Sequence, residues 1–346
     1  MKNFLIIKLS AIGDVIHALP VSYAIKETFP DAKITWVVEP PAYVLLKINP
    51  CVDKIILFEK KDFKTFGVFM KKFFPFRSEI QSEKYDAVLD LQGLFKSAAI
   101  AFFAKSNIKL GICDMREMSD KISAPVIGEN FQGHIVQRYL DTARAVGCKV
   151  SEIKFPLEVP AEQIKKADAI LKHAGVHENN PYAILAIGGN WPNKRWKIEN
   201  FAALSDWIYD KKIVPVVIGS GAVDEQRAAE IEALVEIPPI NLIGKTNLMQ
   251  LTYVIKNSKF VVGGDTGTVH LAAGLKIPTI MLMGPTDANR NGPFGQIGNS
   301  IEVERSCKGC WKRACPSGED CLEKILPEQV EEKISELKIF EEVQNA

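Results

Sequence analysis

Apolar runs and amphipathic stretches take turns along the chain. The first part carries NFLIIKL, KITWVV, KIILF and YDAVLDL; the second repeats the rhythm with YAILAIG, VPVVIG, KFVVGG and PTIMLMG. Runs of this kind, rich in β-branched residues and apolar at consecutive positions, read as strands buried on both faces. Between them, segments such as NFAALSDWIYDKK and DEQRAAEIEALV carry helical spacing. The pattern predicts an α/β protein built from parallel sheets with helices on both faces. It weakens over residues 151–181, where EIKFPLEVP leads into the charged helix AEQIKKADAILKHAG and then VHENNP. A domain boundary there gives two Rossmann-like, doubly wound domains, 1–165 and 175–326. A last helix after Pro327, within 327–346, can pack back across either of them.

Both halves contain one device: a strand, a glycine-bearing loop and a helix. It is FLIIKLSAIGDVIHALP in the first half and FVVGGDTGTVHLAAG in the second. Parallel sheets bind ligands beyond the carboxyl ends of their strands, so two such sheets facing each other are expected to form one cleft with an active site between the domains. In the second loop, Gly263 and Gly264 are expected to let the backbone turn, and Asp265 or Thr266 to cap a helix beginning near Thr268. Gly267 leaves room for close approach. The free N–H groups and positive dipole at that helix start favour a phosphate. The hydroxyls of Thr266 and Thr268 add donors, and His270, one turn in, can reach a phosphate oxygen or a ribose. Any one of these residues is ordinarily a cap or a satisfied core group; the whole cluster favours anion binding. G-x-G-x-x-G and the P-loop signature are absent here, which argues against a dinucleotide enzyme or an ordinary ATPase.

In the first loop, Asp14 follows Gly13. It reads either as a helix cap or as a general base taking a proton from an attacking hydroxyl, a role that desolvation and a raised pKa would assist. Pro20 close behind predicts a short or kinked helix start. A third cluster, GGNWPNKRW, follows YAILAIG and places Lys194 and Arg195 where a cation can neutralise a leaving diphosphate.

Composition narrows the picture. The 346 residues are 47% hydrophobic and 25% charged, an ordinary balance for a protein with a large core. Lys and Arg number 43 against 42 Asp and Glu, so no global basic field gathers nucleic acid, and an anionic partner must be held locally. The start reads as a first strand rather than a signal peptide, and no run approaches the length of a membrane span. These features lead us to expect a cytoplasmic protein. Of the seven cysteines, Cys307, Cys310, Cys315 and Cys321 fall within fifteen residues. Four thiolates can hold zinc or an iron–sulfur cluster, yet the second pair lacks C-x-x-C spacing; free or redox-labile thiols are the favoured reading.

Residues 58–77, FEKKDFKTFGVFMKKFFPFR, hold seven of the 18 phenylalanines beside six Lys or Arg. Phe66, Phe69 and Phe73 share one helical face. Such a helix commonly packs on its own domain; a basic, aromatic surface helix also suits an anionic membrane, and docking at the inner leaflet is expected.

Taken together, KLSAIGDVIHALP, WVVE (36–39), YDAVLDLQGLFKSA (85–98), REM (116–118), NKRW (193–196), GGDTGTVHLAAGL and GPTD (284–287) resemble the lipopolysaccharide heptosyltransferases of glycosyltransferase family 9. The resemblance implies a GT-B architecture with the donor nucleotide on the carboxyl-terminal domain. It implies ADP-heptose as donor, the Kdo-lipid A inner core of lipopolysaccharide as acceptor, and transfer by inversion with no cofactor and no divalent metal. Carried over, Asp14 becomes the base and Lys194 the diphosphate contact. Gly264 to Thr268 with His270 form the ADP cradle, and Glu225 and Thr246 join on the donor side. Lys8, Ser10, Gly13, Lys96 and Arg116 fall to the acceptor. WVVE, QGL-x-KSA and REM resemble the first-heptose enzymes more than the second, whereas the cysteine cluster is similar to both. A different nucleotide sugar, the second-heptose acceptor, or a non-catalytic nucleotide-binding module are the alternatives.

Overall fold

The computed structural model describes residues 2–60, 66–177, 180–303, 307, 309–315, 318 and 321–339, the side chains of 66–70 excepted. Contacts divide the chain into two compact units, Met1–Glu158 and Val159–Ala346.

The first unit runs β1 (Asn3–Ile7), α1 (Ile12–Thr28), β2 (Lys33–Val38), α2 (Pro40–Lys47), β3 (Lys54–Leu57), α3 (Phe66–Ile80), β4 (Ala87–Asp90), α4 (Phe95–Phe103), β5 (Lys109–Gly111), β6 (Ala124–Pro125) and α5 (Ile135–Ala145). Its sheet is parallel throughout, in the order β3-β2-β1-β4-β5-β6. The second unit begins with α6 (Ala161–His173), β7 (Tyr182–Ala186), α7 (Ile198–Asp210), β8 (Val214–Ile218), α8 (Ala222–Glu232) and β9 (Ile240–Asn241). It continues with α9 (Leu248–Lys256), β10 (Val261–Gly264), α10 (Gly267–Gly274), β11 (Thr279–Met283), α11 (Ala288–Asn291), β12 (Ser300–Glu302) and α12 (Pro327–Glu336). Its parallel sheet has the order β12-β11-β10-β7-β8-β9. Counted within each unit, both sheets follow the Rossmann order 3-2-1-4-5-6, whose switch point lies between the first and fourth strands.

The strands form where expected because their side chains are buried on both faces. Phe4 to Ile7, Val88, Leu89, Ala183 to Leu185 and Val261 to Val262 are all at most 1% exposed. Each such Val, Ile or Leu contributes about 1.5–3 kcal/mol relative to staying in water.

Two expectations about helices change and a third is narrowed. The boundary at 165–175 cut the charged helix, whereas the structure keeps α6 whole within the second unit. There it packs on α9, and Gln163 accepts from the side-chain amides of Asn247 and Gln250. Pro20 does not shorten α1, which runs through it to Thr28. The helix is buried from Val15 to Ser22 and packs along α5, and burial on that scale outweighs the roughly 3 kcal/mol a mid-helix proline costs. Helix α12 packs on α7 and β11, with Val330 and Ile334 in the second unit's core. Residues 340–346 lie outside the described residues.

Candidate active site

In the second unit the site grows from the carboxyl ends of β7 and β10, the strands that flank the switch point. Asp265 follows β10 and its side chain is 3% exposed. A carboxylate so placed needs donors on both oxygens. Oδ2 accepts from Lys194 Nζ at 2.5 Å and from Thr286 Oγ1 at 2.7 Å, and Oδ1 accepts from His270 Nε2 at 2.7 Å. Burial alone would raise the Asp265 pKa; the hydrogen bonds and charges of His270 and Lys194 reverse this and hold the carboxyl far below its usual range.

This geometry corrects several expectations. Asp265 caps nothing, because a buried carboxylate is spent on three partners from three segments. Nor does it face a phosphate: its oxygens point to Lys194, Thr286 and His270, which it positions. His270, 5% exposed, turns Nε2 inward to that carboxylate. Thr266 occupies the N-cap position of α10, which starts at Gly267 rather than Thr268, and its hydroxyl makes no capping bond. Among the described residues the first α10 amides, on Gly267, Thr268 and Val269, therefore have no acceptor, as an anion seat requires. Thr266, Gly267 and Thr268 are half-buried around them.

Gly263 and Gly264 lie inside β10 and do not make the turn. A Cβ on Gly264 would run into the carbonyl oxygen of Lys194, so the glycine lets two backbones approach closely beside the cluster. The Gly264→Ala variant is expected to lose about 1–3 kcal/mol of stability through overpacking. Urea unfolding checks this, and an unshifted midpoint would mean that the 192–194 segment moves aside freely.

Lys194 ends a 3-10 turn, Pro192–Lys194, and its ammonium lies 4.5 Å from the Trp191 ring centre. The turn is held from behind. Trp196, 1% exposed, donates Nε1 to the Ile325 carbonyl at 2.8 Å and packs edge-on against Phe201. Arg227 bridges the Ile187 and Trp196 carbonyls. Arg195 turns its Nε to the Gly189 carbonyl at 2.7 Å. Glu225, exposed in the first turn of α8, lies beside Gly244, in the same loop as half-buried Thr246.

The first unit builds its own group at the ends of β1 and β4. Asp14, half-buried in the first turn of α1, accepts from the Ala11 amide at 3.0 Å, so it does cap its helix. Beneath it Lys8 is 3% exposed and lies 5.0 Å from the Tyr139 ring centre. Burial works against the Lys8 charge, yet Tyr139, Asp14 and Asp90 more than offset it and raise its pKa. Lys8 is thus a buried support of this loop, not a surface contact. The loop is tied at three points: Trp36 Nε1 donates to the Lys8 carbonyl, and the Leu9 and Ser10 amides donate to Gln92 Oε1. Gln92 is set by Asp90, whose carboxylate accepts from the Gln92 and Gly93 amides and the Ser97 hydroxyl. Burial raises the Asp90 pKa, only partly countered by those donors.

Lys96 is already paired, with Glu39 Oε1 at 2.7 Å and Ser10 Oγ at 3.5 Å. Gly13 is half-buried beside Asp14, and Arg116 is exposed, its amide bonded to the Gly93 carbonyl. The residues missed by sequence reasoning are partners rather than presenters: Thr286, Glu39, Asp90, Tyr139 and Arg227. Thr286, Glu39 and Asp90 lie inside the quoted motifs GPTD, WVVE and YDAVLDLQGLFKSA, which were the available signal.

Cys307 is exposed, Cys310 and Cys315 are half-buried and Cys321 is buried. Among the described residues no three Cys, His, Asp or Glu side chains converge as a metal set. Residues 304–306, 308, 316–317 and 319–320 within that stretch lie outside the described residues. Among the described residues no helix is long and apolar enough to cross a membrane.

Comparison with known proteins agrees with this architecture. The chain is 27% identical over 305 residues to the lipopolysaccharide core heptosyltransferase OpsX of Haemophilus influenzae, covering 87% of this chain and 84% of that protein. It is 29% identical over 303 residues to lipopolysaccharide heptosyltransferase 1 of Escherichia coli K12, covering 84% and 91%. The structure of E. coli heptosyltransferase WaaC with ADP-2-deoxy-2-fluoro heptose superposes with a TM-score of 0.72 at 25% identity, over 96% of this chain and 99% of that one. Two six-stranded parallel sheets with flanking helices are the GT-B arrangement of that structure. The profile of glycosyltransferase family 9 (heptosyltransferase) matches residues 73–320, and the chain belongs to that family.

Proposed function

We propose that the protein transfers heptose from ADP-L-glycero-D-manno-heptose to the Kdo of the lipopolysaccharide inner core, by one inverting displacement without a divalent metal. The observation that carries this reading is the open amide row of α10 beside the Lys194–Asp265–His270 cluster. An ammonium has three donors. One goes to Asp265, which leaves the others to meet a diphosphate resting on the α10 amides. These are fixed positive groups at the place where charge builds as the bond between the anomeric carbon and the β-phosphate oxygen breaks, the task a metal performs elsewhere. Glu225 and Thr246 are assigned to the donor's nucleoside.

At the other reacting partner, Asp14 takes the proton of the attacking acceptor hydroxyl as the new glycosidic bond forms. Ser10, Gly13, Lys96 and Arg116 are assigned to the acidic acceptor, with Glu39 giving up Lys96 to a Kdo carboxylate. A lipid-borne acceptor places the reaction on the cytoplasmic face of the inner leaflet. The names of the two curated relatives support the substrate class, and the donor analogue bound to WaaC supports the sugar.

The reading is tested by incubating the protein, with chelator present, with ADP-heptose and Kdo-lipid A and weighing the lipid. A gain of one heptosyl unit is expected. A product formed only on a core that already carries heptose, or only after metal is restored, overturns the assignment.

A further inference from the structure

We propose that the outward face of α4, joined to the exposed side of α3, docks on an anionic phospholipid bilayer. Phe95 and Phe102 stand seven residues apart on α4, two turns and therefore one face, and are 64% and 60% exposed. Phe74 of α3 is 53% exposed and Ile108, just beyond α4, 49%. The two helices share one chain of ring contacts: Phe74 meets Phe73 at 5.6 Å, Phe73 meets Phe103 at 5.3 Å, and Phe103 meets Phe102 at 5.4 Å. Phe73 and Phe103 are the half-buried footing of this chain, and Phe74 and Phe102 project from its two ends. Clustered exposed aromatics of this kind mark an interaction surface rather than ordinary scatter.

Cations lie along this chain of rings. The Arg77 guanidinium lies 5.1 Å from the Phe103 ring centre. Lys109 holds its ammonium on the Phe102 carbonyl at 3.2 Å, and Lys105 bonds the Gln81 carbonyl at 2.7 Å. Lys71, one turn before Phe74, is exposed on α3 with exposed Lys72 next to it in the chain; of the nearby acids, Glu79 faces Lys54 at 3.6 Å and Glu117 accepts from the Phe95 amide at 3.0 Å. Single phenylalanines standing out from a basic rim match a bilayer, with rings entering the acyl boundary and ammonium groups meeting lipid phosphates. The basic rim complements anionic headgroups, which favours a bilayer over a protein partner.

The test is co-sedimentation with vesicles of phosphatidylethanolamine and phosphatidylglycerol, against vesicles of phosphatidylcholine alone. It needs neither donor nor acceptor, so its failure is separable from that of the transfer reading. Binding is expected to the anionic vesicles only and to weaken in high salt. F74D/F102D and K71E/K72E are each expected to lower partitioning about ten-fold or more. Leu234→Asp, at a residue 55% exposed in the second unit, is expected to change nothing. Circular dichroism verifies folding, and if F74D/F102D misfolds, K71E/K72E decides. Equal binding to both vesicle types, unchanged binding by the folded variants, or a protein dimer that F74D/F102D dissolves in place of vesicle binding would each overturn the proposal.

Discussion

Asp14→Ala is expected to slow glycosyl transfer by about 10²–10⁴-fold, the range for removing a general base, while ADP binding stays within about two-fold of wild type on the same reading. The two effects separate because Asp14 belongs to the first unit's loop and the nucleotide is assigned to the second. The side chain also caps α1 through the Ala11 amide, and loss of such a contact costs about 0.5–2 kcal/mol. Asp14→Asn controls for that: the amide oxygen still accepts from Ala11 but cannot take a proton at neutral pH. Rate measurement and calorimetric titration with ADP check the pair. If Asp14→Asn retained most of the activity, or if ADP affinity fell together with the rate, Asp14 would be a structural cap and another base would have to be found.

Asp265→Asn carries the largest expected stability effect. The substitution leaves Lys194 and His270 facing a neutral amide in a nearly closed site, and breaking one side of a buried ion pair costs about 3–5 kcal/mol. ADP affinity is expected to fall as well, because Lys194 loses the anchor that aims it. The pH dependence has a definite sign. Asp265 is held below the ordinary carboxyl range, so its contribution is complete above the unfolded value, near 3.9. It is lost as pH drops through that value toward the folded one. The gap in urea midpoint between wild type and Asp265→Asn should therefore be widest near neutrality and close progressively below about pH 4. A gap that stayed constant into acid would mean that the carboxylate is not the charged centre of the cluster.

Much of the fold was legible from the chain. Eight apolar runs correspond to β1, β2, β3, β4, β7, β8, β10 and β11, because strands covered on both faces leave an unbroken apolar signature. The strands missed, β5, β6, β9 and β12, are two or three residues long, too short for any periodicity to register. The loops at β1 and β10 were legible too, since glycine, aspartate and threonine crowd a strand-to-helix joint more densely than a cap needs. What these residues do once folded was less legible. No local pattern shows that both Asp265 oxygens turn to Lys194, Thr286 and His270, or that Lys8 lies buried.

The amino-acid order by itself determined the α/β class, the twofold repetition of strand, loop and helix, and the family, because each depends on patterns local to a few tens of residues. The tertiary structure alone decided which charged side chains share a centre. Lys194 meets Asp265 across 71 positions and Lys96 meets Glu39 across 57, through strands whose ends come together only when the sheets assemble. Register between parallel strands is set by packing over the whole sheet, so no local pattern announces which carboxylate will find which ammonium.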